Sequence, residues 1–506
     1  MGVLSARMPA GRYFALTWSI PDQFGGMTAA MLHRSAAFHR VAGVSVDILT
    51  FDDRPDSSSL DRRLQDRGVL ADGVRVVNLY DWLRKHPLPG GSLAADRVFT
   101  PLAEAEATEV RRSDHAVVAR VRRGDDGRIL QVDHLRPDGS LVLSDRRDVR
   151  ERGALGGRSV VLCDGEGSPV RSWRRIRPLY TAWLDALTAR QPSFMIVDSK
   201  TVAPFMLTYR RAHVVTAHVV HASHRPGAGQ SGTVRASRRE VFEHLDDYDL
   251  VAFLSRRQAT EVTELVGAQR NLVVIPNSLS VMPVGDVGQR DPFRGVVLAA
   301  LEQRKRVEDA VDAVQLANSR LEKPLRLDVY GDGECRSAIE SHIVDPSVVR
   351  LHGYDPGARA KLAEASFLLL TSRSEGFPLV LVESLAMGCL PIAYDIRYGP
   401  ADIIRDGRNG FVVPAGDVEA LAAALQRLRD LPPGRVMAMR RAAVRSARRF
   451  DDERIVALWA RELKRAAARK HGHSTLVYAL RTAAARIPGA RSAYRVITGA
   501  GGGIRN

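Results

Sequence analysis

At 506 residues the chain exceeds what one hydrophobic core supports, so two or three domains are expected. A composition of 45% hydrophobic and 26% charged residues excludes disordered and fibrous classes, and the distant cysteines Cys163, Cys335 and Cys389 match neither a disulfide framework nor a paired zinc motif. The net charge of +16 is concentrated at one end, with 17 Lys and Arg against 4 Asp and Glu in residues 431–506, which suits an anionic partner or a solvated basic helix face.

The N-terminal apolar run is short and ends at Pro21-Asp22, unlike a secretory signal. No run of about 18 apolar residues is present, so no transmembrane helix is expected, and the few, scattered cysteines make a reducing cytoplasm the expected compartment. Residues 13–18 read as a strand, Phe24-Gly25-Gly26-Met27-Thr28 as a loop, and the following apolar spacing as a helix. A strand at 44–49 completes a βαβ unit. Between about 105 and 173, short alternating runs at 115–122, 129–135 and 141–144 are separated by Asp-Gly turns and read as an inserted β-meander. Strands are expected again at 194–197, 213–220, 250–254 and 272–275.

A Pro- and Gly-rich stretch at 276–295 has linker composition, and a second α/β series follows. Its strands are expected at 296–300, 325–330, 348–352, 366–370 and 390–394. The fold class is therefore α/β with two Rossmann-like domains facing across a cleft, the first carrying the meander. The expected domains are 1–284 with the insertion at 105–173, 285–450, and a basic helical tail at 451–506.

Glu375 and Glu383 stand in SRSEGFPLVLVES. The buried strand 366–370 feeds a loop holding Glu375, Pro378 suits a first helical position, and Glu383 lies about one turn into the helix. Carboxylates there can accept hydrogen bonds from sugar and ribose hydroxyls, while free helix N–H groups receive a diphosphate. The spacing also suits two glutamates at an ordinary helix start. His218, His221 and His224 follow a strand core without a carboxylate or cysteine in register, so a metal site is not expected. Lys305 follows the strand 296–300 and offers a fixed cation for charge developing on a leaving diphosphate.

The run from Glu375-Gly376-Phe377-Pro378 to Glu383 resembles the glutamate-seven-residues-glutamate motif of family 4 retaining glycosyltransferases. Tyr394-Asp395-Ile396-Arg397-Tyr398-Gly399-Pro400 and Asp406-Gly407-Arg408-Asn409-Gly410-Phe411 resemble its poly(glycerol-phosphate) and poly(ribitol-phosphate) α-glycosyltransferase branch. The resemblance implies the two-domain GT-B fold and retention of configuration. It implies Glu375, Lys305 and His221 as the catalytic set. It further implies Gly25 and Gly26 against phosphate, His224, Tyr354, Gly376, Phe377 and Pro378 about the substrates, and Glu383 on the ribose. The branch carries an Arg and a Lys five apart, and here the Arg position falls on Ala300. Arg304 and Arg306 are the alternative cations.

The implied donor is a nucleotide sugar, UDP-glucose or UDP-N-acetylglucosamine, with no metal and no other cofactor. The implied acceptor is an anionic glycopolymer or lipid-linked chain of the cell wall. Residues 475–487 place Leu476, Leu480 and Ala484 on one helix side, which suits an anionic membrane surface at the inner face of the plasma membrane. The insertion offers a homo-oligomer surface. A catalytically degenerate binding scaffold is the first rival, because of Ala300. A nucleic-acid-binding protein is the second, but no aromatic interleaving or RNP-type motif supports it, so nucleic acid is not expected.

Overall fold

A computed structural model describes the chain over residues 7–94, 98–225, 234–279 and 290–486, with side chains through residue 472. By contact density it divides into two units. Among the described residues, one unit comprises those within 9–24, 43–216 and 467–486, and the other those within 7–8, 25–42 and 217–466.

The first of these holds four parallel strands in the order β10-β1-β2-β3. They are β1 (Arg12–Leu16), β2 (Val46–Thr50), β3 (Val74–Asn78) and β10 (Ser193–Val197). Register runs from Arg12 opposite Ser193 to Leu16 opposite Val197. Runs such as Phe14-Ala15-Leu16 are buried on both faces, which is why they read as continuous apolar segments rather than alternating ones.

The insertion is the expected antiparallel meander, with six strands in sequential order. They are β4 (Thr108–Arg111), β5 (Val117–Arg123), β6 (Ile129–Leu135), β7 (Leu141–Arg146), β8 (Ser159–Cys163) and β9 (Pro169–Trp173). Its turns follow from local chemistry. Asp138 Oδ1 accepts from the Ser140 amide at 2.9 Å while Gly139 takes φ +86°. Asp164 Oδ1 likewise accepts from Glu166 and Ser168, with Gly167 at φ +83°.

Strand β11 (Val214–Val220) carries the chain into the other unit, where its end pairs in parallel with β12 (Leu250–Phe253), followed by β13 (Leu272–Val274). The second parallel sheet has the order β16-β15-β14-β17-β18-β19. Its strands are β14 (Arg294–Leu298), β15 (Arg326–Tyr330), β16 (Val349–Gly353), β17 (Phe367–Leu370), β18 (Leu390–Asp395) and β19 (Phe411–Pro414). The chain winds outward from β14 to β16, then restarts at β17 on the other side of β14. That reversal is a topological switch point, where doubly wound sheets bind ligands at the carboxyl ends of their strands. The α/β class with Rossmann-like parallel sheets and an inserted meander is thus as the sequence implied.

The helix Asp452–Arg486 opens what reads in sequence as a basic tail. Ile455, Val456, Trp459 and Leu463 are buried, and Trp459 meets Phe38 edge-on at 6.0 Å. Asp452 binds His33 at 2.8 Å and also pairs with Arg40, tying this helix to the helix Gly26–Ala42. The proposed apolar side of Leu476, Leu480 and Ala484 falls where only helix backbone is described, and Ile487 lies outside the described residues. Among the described residues no helix is long and apolar enough to cross a membrane.

Candidate active site

A cavity of about 500 Å³ lies at the switch point. Leu298 ends β14 and Leu370 ends β17, and both line it. His221, Leu254 and Asn277, just past the ends of β11, β12 and β13, line it as well. Two helix starts complete it. One is Gly26-Met27 of the helix Gly26–Ala42, and the other is Leu379-Val380 of the helix Leu379–Ala386. Neither helix has an acidic residue in its first turn, so neither N-terminal partial charge is neutralised locally.

Among the described residues, three cations face this space: Arg235, Arg304 and Lys305. Lys305 Nζ lies 2.7 Å from Glu375 Oε1, and Arg304 Nη1 lies 3.3 Å from the same oxygen. Arg304 Nη1 also donates to the Ser374 carbonyl at 3.1 Å. The two loops are laced by backbone: the Arg373 amide donates to the Arg304 carbonyl at 2.8 Å, and Thr371 Oγ1 donates to the Lys305 carbonyl at 3.1 Å. Ala300 is exposed. Arg306 turns elsewhere, 3.0 Å from Asp309, which in turn accepts from the Tyr394 hydroxyl at 2.8 Å. Of the two alternative cations, Arg304 is therefore the one that stands beside Lys305.

Gly376 packs directly on the strand end that carries His221. A Cβ at Gly376 would fall 1.8 Å from the His221 carbonyl oxygen and 2.6 Å from its carbon. Glycine is needed there for close approach, since its φ is not in the left-handed region. Behind it, the Tyr398 amide donates to the Glu375 carbonyl at 2.8 Å, and the Glu375 amide to the Arg397 carbonyl at 3.3 Å. Phe377 is buried edge-on against Phe450, and Pro378 precedes the helix as its cap residue.

Gly25, His224, Tyr354 and Glu383 lie outside the cavity lining. Gly25 sits one residue before the helix it introduces, and its carbonyl accepts from the Ala29 amide at 3.2 Å. His224 is buried and stacked between Phe242 and Tyr398, with ring centroids 5.6 and 5.9 Å away. Burial, aided by Arg225, brings its imidazole down to about 4, so it is neutral at neutral pH. His218 is buried against the Tyr248 ring. Tyr354 is 76% exposed beyond β16. Glu383 is buried; burial raises its carboxyl pKa and Arg359, 3.2 Å away, opposes the shift.

Two contributors escaped sequence reasoning. Arg235 lies in GTVRASRRE, where nothing in spacing separates it from its basic neighbours. Its amide donates to the His224 carbonyl at 2.7 Å and its guanidinium donates to the Arg225 carbonyl, which fixes it at the cavity. Glu261 gathers Arg225 at 2.9 Å, Arg397 at 3.1 Å and the Tyr398 hydroxyl at 2.6 Å. It thereby supports the 397–398 segment on which Glu375 hangs.

Cation excess, two unneutralised helix starts and a switch-point location suit an anionic, phosphate-bearing group. Residues 293–430 match the family model described as glycosyl transferases group 1. Among curated proteins it is similar to a poly(glycerol-phosphate) alpha-glucosyltransferase of Bacillus subtilis, 21% identical over 83% of this chain and 70% of that protein. It is also similar to a poly(ribitol-phosphate) alpha-N-acetylglucosaminyltransferase of Staphylococcus aureus, 19% identical over 82% of this chain and 92% of that one. Among solved structures, a variant of S. aureus TarM in complex with fondaparinux, alpha-GlcNAc-glycerol and UDP superposes with a TM-score of 0.67. That match has 17% identity and covers 90% of this chain and 99% of TarM, which shows a shared fold.

Proposed function

We propose that this chain is a retaining, metal-independent glycosyltransferase. It moves a hexose or N-acetylhexosamine from a UDP-sugar, UDP-glucose or UDP-N-acetylglucosamine, to a hydroxyl of an anionic surface polymer of the polyol-phosphate kind. The single observation that carries this is the cavity in which Lys305, Arg304 and Arg235 meet two helix N-termini at the switch point.

A glycosyl diphosphate already has a good leaving group, so the protein's task is position and charge. In this reading the bond from the anomeric carbon to the diphosphate oxygen breaks, a bond to the acceptor oxygen forms on the same face, and the acceptor hydroxyl's proton passes to the departing diphosphate oxygen. Lys305 and Arg304 take up the negative charge that grows on the diphosphate, and Arg235 holds the anion in ground and transition states alike. Glu375, held by its backbone to 397–398, accepts from sugar hydroxyls, and His221 contacts the sugar. Glu383 with Arg359 stands for the nucleoside side. The relatives' named substrates, both polyol-phosphate polymers, support the acceptor class.

Calorimetric titration with UDP, UDP-glucose and UDP-N-acetylglucosamine tests this. At least one donor binds to the wild type and binds at least tenfold more weakly to Lys305→Met. A chain that binds none of them is a scaffold. The same reading places the enzyme in the cytoplasm at the inner membrane face, with domain limits at 284 and 450 and self-association through the meander. Vesicle co-sedimentation that persists without residues 467–506 would contradict the membrane role of the tail.

A further inference from the structure

The unit that carries the meander has its own cavity, of about 320 Å³. It lies at the carboxyl ends of β1, β2 and β3. Trp18 follows β1, Phe51 and Asp53 follow β2, and Tyr80 follows β3. This is the edge at which parallel α/β sheets present ligands. The meander closes it with Arg147 and Arg158, and the helix Arg177–Thr188 adds Tyr180.

The geometry points to a second ligand site here, one that takes a single sugar or polyol unit of the acceptor chain. Trp18 is 38% exposed and stacks at 13° on the buried Phe51 ring, 6.4 Å away. A large indole held flat and left open to solvent is a platform for the C–H face of a sugar or polyol. Tyr80 and Tyr180 also line the cavity, and neither phenol hydroxyl hydrogen-bonds to a described residue. Arg147 and Arg158 each commit Nε and Nη2 to the buried carboxylate of Asp145, which leaves Nη1 on both.

Charge decides the ligand's chemistry. Asp145, which pairs with both guanidiniums from outside the lining, and Asp53 within it balance the two positive charges, so the lining together with its ion-pair partner carries no net charge. It offers donors, the guanidiniums and phenols, beside one acceptor carboxylate, the exposed Asp53. That mixture reads hydroxyl groups, which both donate and accept, rather than a phosphate, which only accepts. The cation-rich cavity at Lys305 has the opposite character. The identity of the ligand as an acceptor unit rests on the glycosyl-transfer reading; the site itself does not.

The test is titration of the full chain, without donor, with a synthetic oligo(ribitol phosphate) and separately with free ribitol, alongside the thermal shift given by UDP. Saturable oligomer binding is expected in the wild type. It should weaken at least tenfold in Trp18→Ala and in Asp53→Asn, while the UDP shift of both variants stays at the wild-type value. Free ribitol at high concentration should compete. Variants that bind the oligomer as tightly as wild type, or a wild type that does not bind it, would overturn the site. Oligomer binding without any UDP shift would overturn the donor-site reading and leave this site standing.

Discussion

Replacing Gly376 by alanine is a one-carbon change with a calculable geometric consequence. The added Cβ would sit 1.8 Å from the His221 carbonyl oxygen and 3.3 Å from Ala222 Cα. Ordinary carbon–oxygen contact is about 3.2 Å, so one of the two loops must retreat by roughly 1.4 Å. The obstacle is backbone, which cannot rotate away, and its partner loop is pinned by the Glu375–Tyr398 and Arg373–Arg304 hydrogen bonds. Overpacking of this kind costs about 1–3 kcal/mol, and a displacement of about 1 Å at a reacting centre costs on the order of 100-fold in rate. Gly376→Ala should therefore lower kcat by about two orders of magnitude and lower Tm by several degrees. Steady-state UDP release and a thermal melt measure both. Wild-type kcat in a folded Gly376→Ala protein would refute the argument that close approach at this point sets the site.

Lys305→Met should cut kcat about 10²–10³-fold with Tm nearly unchanged, because the lost interaction strengthens as the diphosphate departs. Arg235→Ala should raise the donor KM more than it lowers kcat, as expected of a cation that binds ground and transition states alike; equal loss in both constants would contradict this. Stability should fall on mild acidification. His224 titrates at about 4 when folded against 6.5 in model compounds, so its contribution is complete above 6.5 and is lost as pH falls towards 4. That is on the order of 3 kcal/mol at most. Burial raises the carboxyl of Asp452, but His33, Ser278 and Arg40 outweigh it and bring it to about 2. Its contribution therefore persists until pH falls below about 3.8. Melts from pH 8 to 4 should flatten in His224→Phe and keep their slope in Asp452→Asn.

Much of the fold is legible in sequence because buried parallel strands are written as unbroken apolar runs, Phe367-Leu368-Leu369-Leu370 among them. The meander is legible because Asp-Gly turns and alternating strands are local signals. The site divides differently. Lys305, Glu375 and Gly376 sit on strand-end loops whose position follows from the strands. Arg235 and Glu261 do not, because their roles depend on which distant loops reach them. The family resemblance implies His224 as a substrate-side residue. In the fold, its ring fills the gap between Phe242 and Tyr398, a packing fact that spacing does not carry. The missing Arg at Ala300 is another case. Sequence registers a loss at one backbone position, whereas the structure shows Arg304 reaching the same carboxylate as Lys305 from four residues on.

The most direct measurement of the central claim is the product itself. Incubation with the preferred UDP-sugar and an oligo(ribitol phosphate), followed by proton NMR of the anomeric signal, should show UDP released in step with one α-linked residue. A β-linked product from the α-linked donor, or no UDP release with any donor that binds, would contradict the account.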